Sequence, residues 1–393
     1  MAEKIKGSVK KGKSGLGLFN TGAVDLYFLI LVLILLAVGL VMLFSASYPY
    51  AYYHDGDSLF YFKRQLMFAV TGIVIMIFVS KIKYGWFKVL TYPLLALTIV
   101  LLVVVLFLPA LPDTPDFKRW LYIPGMSGSP TFQPSELAKI ALVMFCAVKM
   151  EQNHKKLAEK PFAFWPYALV TLILAGLIYL ENHVSGTVLI LMIGVVMMYL
   201  GGTKRYWFVI GIVAVVAVVA LVILKPTILP EHATERINLW LDKSADPTDG
   251  RWQTNQSLYA ISSGGLFGVG LGQSKQKHLY VSEPQNDFIF SIVCEELGLF
   301  GACIIIILFV LLIARGVAIA LKAKDRFGSL LVLGVVFHIG MQVALNIGVV
   351  TDFLPNTGIS LPFFSYGGTA LWVLLAELGM VLSVSRSSSV KKV

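Results

Sequence analysis

A carboxylate and an amine three residues apart inside an apolar stretch are the first residues here that invite chemistry. They are Glu136 and Lys139, in QPSELAK (133–139). That spacing puts both on one helical face, close enough to pair, and Pro134 suits the first helical turn. Ionisable groups in a membrane span cost several kcal/mol and mark function by default. The two therefore read either as a self-neutralising pair that holds helices together or as a binding or catalytic pair. Asp287 sits in NDFIF (286–290), where a polar stretch gives way to an apolar one. Partial desolvation there would raise its pKa and suit it to general-base work. A lone Asp at a helix start also serves as an N-cap, and spacing alone favours the cap. Glu295 and Glu296 follow about 12 Å further along the same helix, and at least one of them reads as hydrogen-bonded to a neighbouring helix. His338 and Glu377 are lone polar residues in apolar runs and read as buried packing contacts.

The elements that must carry these residues are membrane spans. Of 393 residues, 57% are apolar and only 14% charged, against about 25% charged in soluble domains. Apolar runs fall at 24–44, 65–79, 87–108, 134–148, 162–180, 185–200, 206–224, 288–314, 327–350 and 368–384. The expected fold is an all-α integral membrane protein of about ten transmembrane helices. Residues 1–23 form a basic N-terminal tail, 24–384 the membrane domain and 385–393 a C-terminal tail. The first apolar run, about 20 residues long, suits a span better than a removable signal segment. Cys146, Cys294 and Cys303 all fall inside apolar runs. They offer no disulfide framework and no metal-ligand spacing.

About ten spans place both termini on one side. With the N-terminus in the cytoplasm, about two thirds of the 32 Lys and Arg residues fall on the cytoplasmic side, as the positive-inside rule asks. The net charge of +10 is then topological, which argues against nucleic acid as a partner. The same assignment puts a long loop, 225–287, outside between helices 7 and 8. Long loops tend to carry function. A second outward loop, 109–133, holds Lys118 and Arg119.

The segment QSLYAI…GGLFGVGLG…QK…NDFIF…EELG (256–298) is long and specific. Together with KRWLYIPGMSGSPTFQPSELAK (118–139), SGT (185–187) and LPNTGISLPFFSYGGTALW (354–372), it resembles the SEDS family of FtsW/RodA/SpoVE-type proteins. The likeness runs from about residue 25 to 385. There are departures. Asn182 and His183 stand where family members often carry Pro–Asp, and Leu279 stands where some division members have Glu. SYGGTAL and the basic tail lean toward the division or sporulation branch.

The resemblance implies a peptidoglycan glycosyltransferase that polymerises lipid II outside the bacterial cytoplasmic membrane, beside a class B penicillin-binding protein. A lipid II flippase and a non-enzymatic scaffold are the alternatives. It implies that Asp287 is the base or a metal ligand, which leaves a divalent cation, Mg2+ or Mn2+, as the expected cofactor. Arg119 and Lys139 become candidates for the substrate diphosphate, because Arg and Lys neutralise and orient phosphate oxygens, and Glu136 would orient Lys139. Gly264, Gly265, Gly268, Gly270 and Gly272 would make the loop mobile and allow close backbone approach. Residues 366–368 would form an irregular start to the last span.

Overall fold

The computed structural model describes residues 18–20, 22–108, 118–121, 132–211, 213, 238–241 and 251–388, the side chain of Ala158 excepted. Most of the 109–133 loop, the first part of the 225–287 loop and the outer parts of both tails lie outside these residues.

Eleven helices are described from end to end: α1 Leu26–Asp55, α2 Phe60–Lys81, α3 Gly85–Phe107, α4 Pro134–Gln152, α5 His154–Glu159, α6 Trp165–Leu180, α7 Val184–Gly201, α8 Trp252–Gly264, α9 Ile289–Leu321, α10 Arg326–Val350 and α11 Gly368–Ser387. Seven are long and apolar enough to cross a membrane. The 19-residue α4, charged near both ends, and the 16-residue α6 bring the spanning helices to nine. The span expected at 206–224 is described only over 206–211 and at 213, and is helical there. The all-α membrane fold and about ten helices therefore hold.

Local signals set the ends. Asp25 caps α1 by accepting from the Phe28 amide at 3.0 Å, and Asp325 caps α10 through the Gly328 amide at 2.8 Å. Side-chain caps of this kind stabilise a helix by about 1 kcal/mol. Pro134 opens α4 in the first turn, as expected. α4 is buried on nearly every face and forms the centre of the bundle, whereas α2 and α3 turn much of their apolar surface outward. Two helices outrun expectation. α1 continues past Phe44 to Asp55, and α9 past Ala314 to Leu321.

α9 is two helices in one. Phe288 through Glu296 are all buried, and Gly298 then breaks the run with φ 66° and ψ −170°. The break frees the Glu295 and Glu296 carbonyls and the Leu299 and Phe300 amides. Residues 265–270 pair with all four: Leu299 N to Gly265 O at 3.0 Å, Phe300 N to Leu266 O at 3.1 Å, Val269 N to Glu295 O at 2.9 Å and Gly270 N to Glu296 O at 3.1 Å. Irregular backbone inside a membrane protein persists only where such partners exist. A side chain on Gly268 would meet the Glu296 carbonyl oxygen at 2.1 Å, so the close approach expected of the Gly-rich stretch is present.

The expected mobility of that stretch is not what its bonding describes. α8 is clipped to the end of α10 by an Arg251–Asp352 ion pair at 2.9 Å and by Ser257 Oγ donating to Val350 O at 2.9 Å. Glu295 accepts from the Lys275 amide at 2.9 Å and from Ser274 Oγ. Lys277 Nζ lies 2.8 Å from Glu296 and 3.1 Å from Ser45 Oγ. All five of these polar side chains are buried. The two glutamates thus hold the 274–277 turn against α1 and α9, the hydrogen-bonded role the sequence suggests for at least one of them.

Candidate functional site

Asp287 is the last residue before the buried half of α9. Phe288, not Asp287, holds the cap position of the helix. Asp287 is half-buried, and two contacts hold it. Asn346 Nδ2, on α10, donates to the Asp287 carbonyl at 2.8 Å and to the Ile359 carbonyl at 2.6 Å. A side chain on Gly358 would meet Asp287 Oδ2 at 3.1 Å, so the carboxylate rests against the 356–360 turn. That turn and the irregular run into α11 are tied to the residues before Asp287. The Tyr366 amide donates to Gln285 O at 2.8 Å, and Ser365 Oγ to Asn286 O at 2.8 Å. Non-glycine residues with positive φ cluster here, at Leu279, Glu283 and Phe363, a conformation that the surrounding structure must over-determine.

Lys139 lies about 8 Å into the bundle at helical rise. Its Nζ is 2.7 Å from Glu136 and donates to Gln342 Oε1 at 3.4 Å. Gln342 Nε2 donates to Ser360 O at 3.0 Å, and Gln342 Oε1 lies 3.1 Å from His338 Nε2. His338 Nδ1 is 3.2 Å from Glu377 on α11. Thus His338, Gln342 and Asn346, each one turn from the next along α10, form a polar ladder in an apolar helix. Its lower rungs face Lys139 and its top rung holds the Asp287 backbone. Beside it a small cleft is lined by Glu136, Lys139, His338, Gln342, Tyr366 and Glu377 among others. Asp287 is not among the cleft-lining residues; it sits above, two residues of turn away from Ser360.

Arg119 comes to the same place from another loop. Its guanidinium donates to the Asn182 carbonyl in the α6–α7 turn. His183, next in that turn, lies 3.5 Å from Ser135 Oγ. Burial first, then the neighbouring charges of Arg119 and Lys139, hold its imidazole neutral. The residues that stand in place of Pro–Asp are therefore the bridge between Arg119 and the start of α4. Glu181, beside them, is 1% exposed, and among the described residues neither of its oxygens has a hydrogen-bond partner. Burial pushes its carboxyl up to about 9, with Arg119 pulling the other way.

The structure therefore brings Arg119, Glu136 and Lys139 together and joins Asp287 to them through α10 and the 356–360 turn. Sequence reasoning missed Gln342, Asn346 and Glu181. A polar residue every fourth position in the 327–350 run is the signal that would have found the first two. His338 and Glu377, read as packing contacts, face each other and also line the cleft. Among the described residues no group of three or more His, Cys, Asp or Glu is placed to hold a metal ion. Asp287 is one carboxylate, and nearby Thr357 carries a buried hydroxyl oxygen without a hydrogen-bond partner.

Comparison with known proteins follows the same frame. A family model described as cell cycle protein, FtsW/RodA/SpoVE, matches residues 25–390. Stage V sporulation protein E of Bacillus subtilis is 40% identical over 368 residues, covering 93% of this chain and 97% of that protein. A probable peptidoglycan glycosyltransferase FtsW of a Geobacter species is 36% identical, with 92% of this chain and 96% of that protein covered. Among solved structures, a chain from a peptidoglycan synthase complex that coordinates polymerization and crosslinking superposes with a TM-score of 0.74 at 27% identity, covering 93% of this chain and 98% of that one. The rod shape determining protein RodA of Thermus thermophilus superposes with a TM-score of 0.68 at 26% identity, covering 93% and 98%.

Proposed function

The chain belongs to the cell cycle protein family of FtsW, RodA and SpoVE, and from that premise we propose that it is a peptidoglycan glycosyltransferase that polymerises lipid II. The end of the bundle bearing Asp287 faces outward from the bacterial cytoplasmic membrane, both termini are cytoplasmic, and a class B penicillin-binding protein is the partner that cross-links the product. The observation that carries this reading is the placement of Asp287. It is a half-buried carboxylate at the mouth of the bundle, held by its own backbone, beside a cleft whose wall bears Lys139.

In the reaction, the 4-hydroxyl of a GlcNAc attacks the anomeric carbon of a MurNAc. A C–O bond forms, the bond to the polyprenyl diphosphate breaks, and the diphosphate leaves with the bonding pair. The proton of the attacking hydroxyl goes to the Asp287 carboxylate. Lys139 and Arg119 hold the diphosphate, with Glu136 fixing the direction of Lys139. Asp287, with the Thr357 hydroxyl near it, would hold a hard divalent cation if one binds, since Mg2+ commonly uses only one or two carboxylates and takes the rest of its shell from substrate and water. Such a cation would neutralise charge developing on the leaving diphosphate.

Transport of lipid II is the second reading, and one observation favours it. His338 and Glu377 pair about 18 Å from the Val350 end of α10, near the midplane, where transporters place their sites. The test is glycan polymerisation by the purified full-length protein and its partner with lipid II, for the parent and Asp287→Asn. Loss of the proton acceptor should cut the rate roughly 10²–10⁴-fold with unchanged thermal unfolding. A near-normal rate from a folded Asp287→Asn protein would overturn the catalytic assignment and put transport first.

A further inference from the structure

Three tyrosines from separate parts of the chain meet at the Asp287 end of the bundle, and the reaction above uses none of them. Tyr50 lies in the last turns of α1, Tyr61 at the start of α2 and Tyr366 in the run into α11. Tyr61 and Tyr366 stand edge to face, with ring centroids 4.9 Å apart and planes at 88°. Tyr50 joins them at 6.0 Å from Tyr61, tilted by 58°. All three are half-buried. Two perpendicular rings with a third alongside make a corner with aromatic walls.

The corner adjoins both parts of the site. Tyr366 lines the cleft that holds Lys139, and its amide is bonded to Gln285, two residues before Asp287. Carboxylates surround it. The Tyr61 hydroxyl hydrogen-bonds Asp55, and Glu283 lies within electrostatic reach of Tyr50. The Asn286 amide, bonded to Glu283 at 2.8 Å, is next to it.

An interfacial aromatic belt accounts for some tyrosines of this hairpin and not for these. Belt residues sit at the level of the lipid headgroups and face outward, as the 60% and 63% exposed Tyr52 and Tyr53 do. α1 has 30 residues, about 45 Å at helical rise, against a hydrocarbon core of about 30 Å. Its last turns therefore stand beyond the apolar layer. Tyr50, Tyr61 and Tyr366 turn toward one another, and Tyr366 also lines the cleft.

Rigid aromatic faces edged by carboxylates and amides match the chemistry of a pyranose. The ring's C–H face packs on an aromatic face, and its hydroxyl and acetamido groups need polar partners at the rim. We propose that Tyr50, Tyr61 and Tyr366 form a subsite that stacks one N-acetylhexosamine ring of the glycan beside Asp287. This rests on the glycosyltransferase reading and adds to it where the sugar sits.

The experiment titrates N,N′,N″-triacetylchitotriose into the purified full-length protein, with saturation-transfer NMR as the readout. It compares the parent with Tyr61→Phe, Tyr61→Leu and Tyr366→Leu, each checked by thermal unfolding, and measures KM and kcat with lipid II on the same samples. Stacking needs the ring and not the hydroxyl. Tyr61→Phe should therefore bind like the parent, while each Leu variant should weaken binding about three- to tenfold and raise KM more than it lowers kcat. Leu variants that bind the trisaccharide and lipid II as the parent does would overturn the subsite. So would a folded Tyr61→Phe that fails as badly as Tyr61→Leu, because the hydroxyl would then be what matters. A parent that makes no polymer yet binds the trisaccharide through its ring sinks the enzymatic reading and leaves the subsite standing. A parent that polymerises with no dependence on the rings sinks the subsite alone.

Discussion

Lys139 carries its charge into the bundle with side-chain exposure of only 6%, and Glu136 meets it at 2.7 Å. Removing one partner of a buried pair leaves the other uncompensated, typically at about 3–5 kcal/mol. Lys139→Ala should therefore lower thermal stability as well as activity, and Lys139→Ala with Glu136→Ala should recover most of the stability. If the double variant also polymerises at the parent rate, Lys139 is structural and does not hold the diphosphate. Glu181 gives a second measurement at this scale. Its folded pKa of about 9 lies above the ordinary 4.5, so between those values the folded state binds the extra proton. Its contribution is thus fully present below about pH 4.5 and is lost as pH rises toward 9. Glu181→Gln, neutral throughout, should flatten that decline and raise the unfolding temperature at pH 8 relative to the parent. An unchanged pH slope would show that Glu181 ionises in the folded state. Lys139 and Glu136 stood out in the sequence because a charge in an apolar run is conspicuous, whereas spacing alone made Asp287 a cap and only the resemblance singled it out. Glu181 did not stand out, because it lies one residue past the run that ends at Leu180 and reads as ordinary turn.

α10 is the element that relates Asp287 to Lys139. Gln342 reaches Lys139 and Ser360, and one turn on Asn346 reaches Asp287 and Ile359, so a single helix face sets both positions. Asn346→Leu keeps the approximate shape and withdraws both donated bonds. It should cost about 1–3 kcal/mol for the buried carbonyls left without a donor and lower kcat by more than that stability loss explains. Ser257→Ala, which removes one donor to Val350 at the same end of α10, is the matched control. Equal activity loss in the two would reduce Asn346 to a packing role. Neutral amides explain why this ladder escaped the sequence reading, since Gln and Asn interrupt an apolar run without the charge that draws attention. The break in α9 escaped for another reason. Nothing in the apolar run marks Gly298 as a break, which shows only in its backbone angles and in its pairing with the 265–270 segment.

For the whole molecule, the all-α class and the approximate number of spans were legible because hydropathy is summed over 20 residues at a time. The joining of α1, α2 and α11 at the Asp287 end was not, since no local pattern encodes contacts between residues 300 apart, such as Gln65 Nε2 donating to Ser365 O at 3.3 Å. The proposed orientation rests on the Lys and Arg bias and is open to direct test. Ser282 and Lys324 are both exposed and lie at opposite ends of the bundle. With native-cysteine background subtracted, a membrane-impermeant maleimide applied to intact cells should label Ser282→Cys and spare Lys324→Cys. The reverse pattern would invert the protein and remove Asp287 from the outer face.

The seam between Gly268 and Gly298 has an evolutionary consequence. A side chain on Gly298 would meet the Gly268 nitrogen at 2.3 Å, and one on Gly264 would meet the Cys294 carbonyl oxygen at 2.1 Å. Every obstacle named is backbone, so no compensating change of side chain elsewhere can open the space. Descendants of this chain can drift at the exposed Leu266 and Phe267 between these positions while the glycines stay closed to substitution. The spacing of glycines in this stretch is a footprint of two backbones in contact, and it should outlast most of the residues around it.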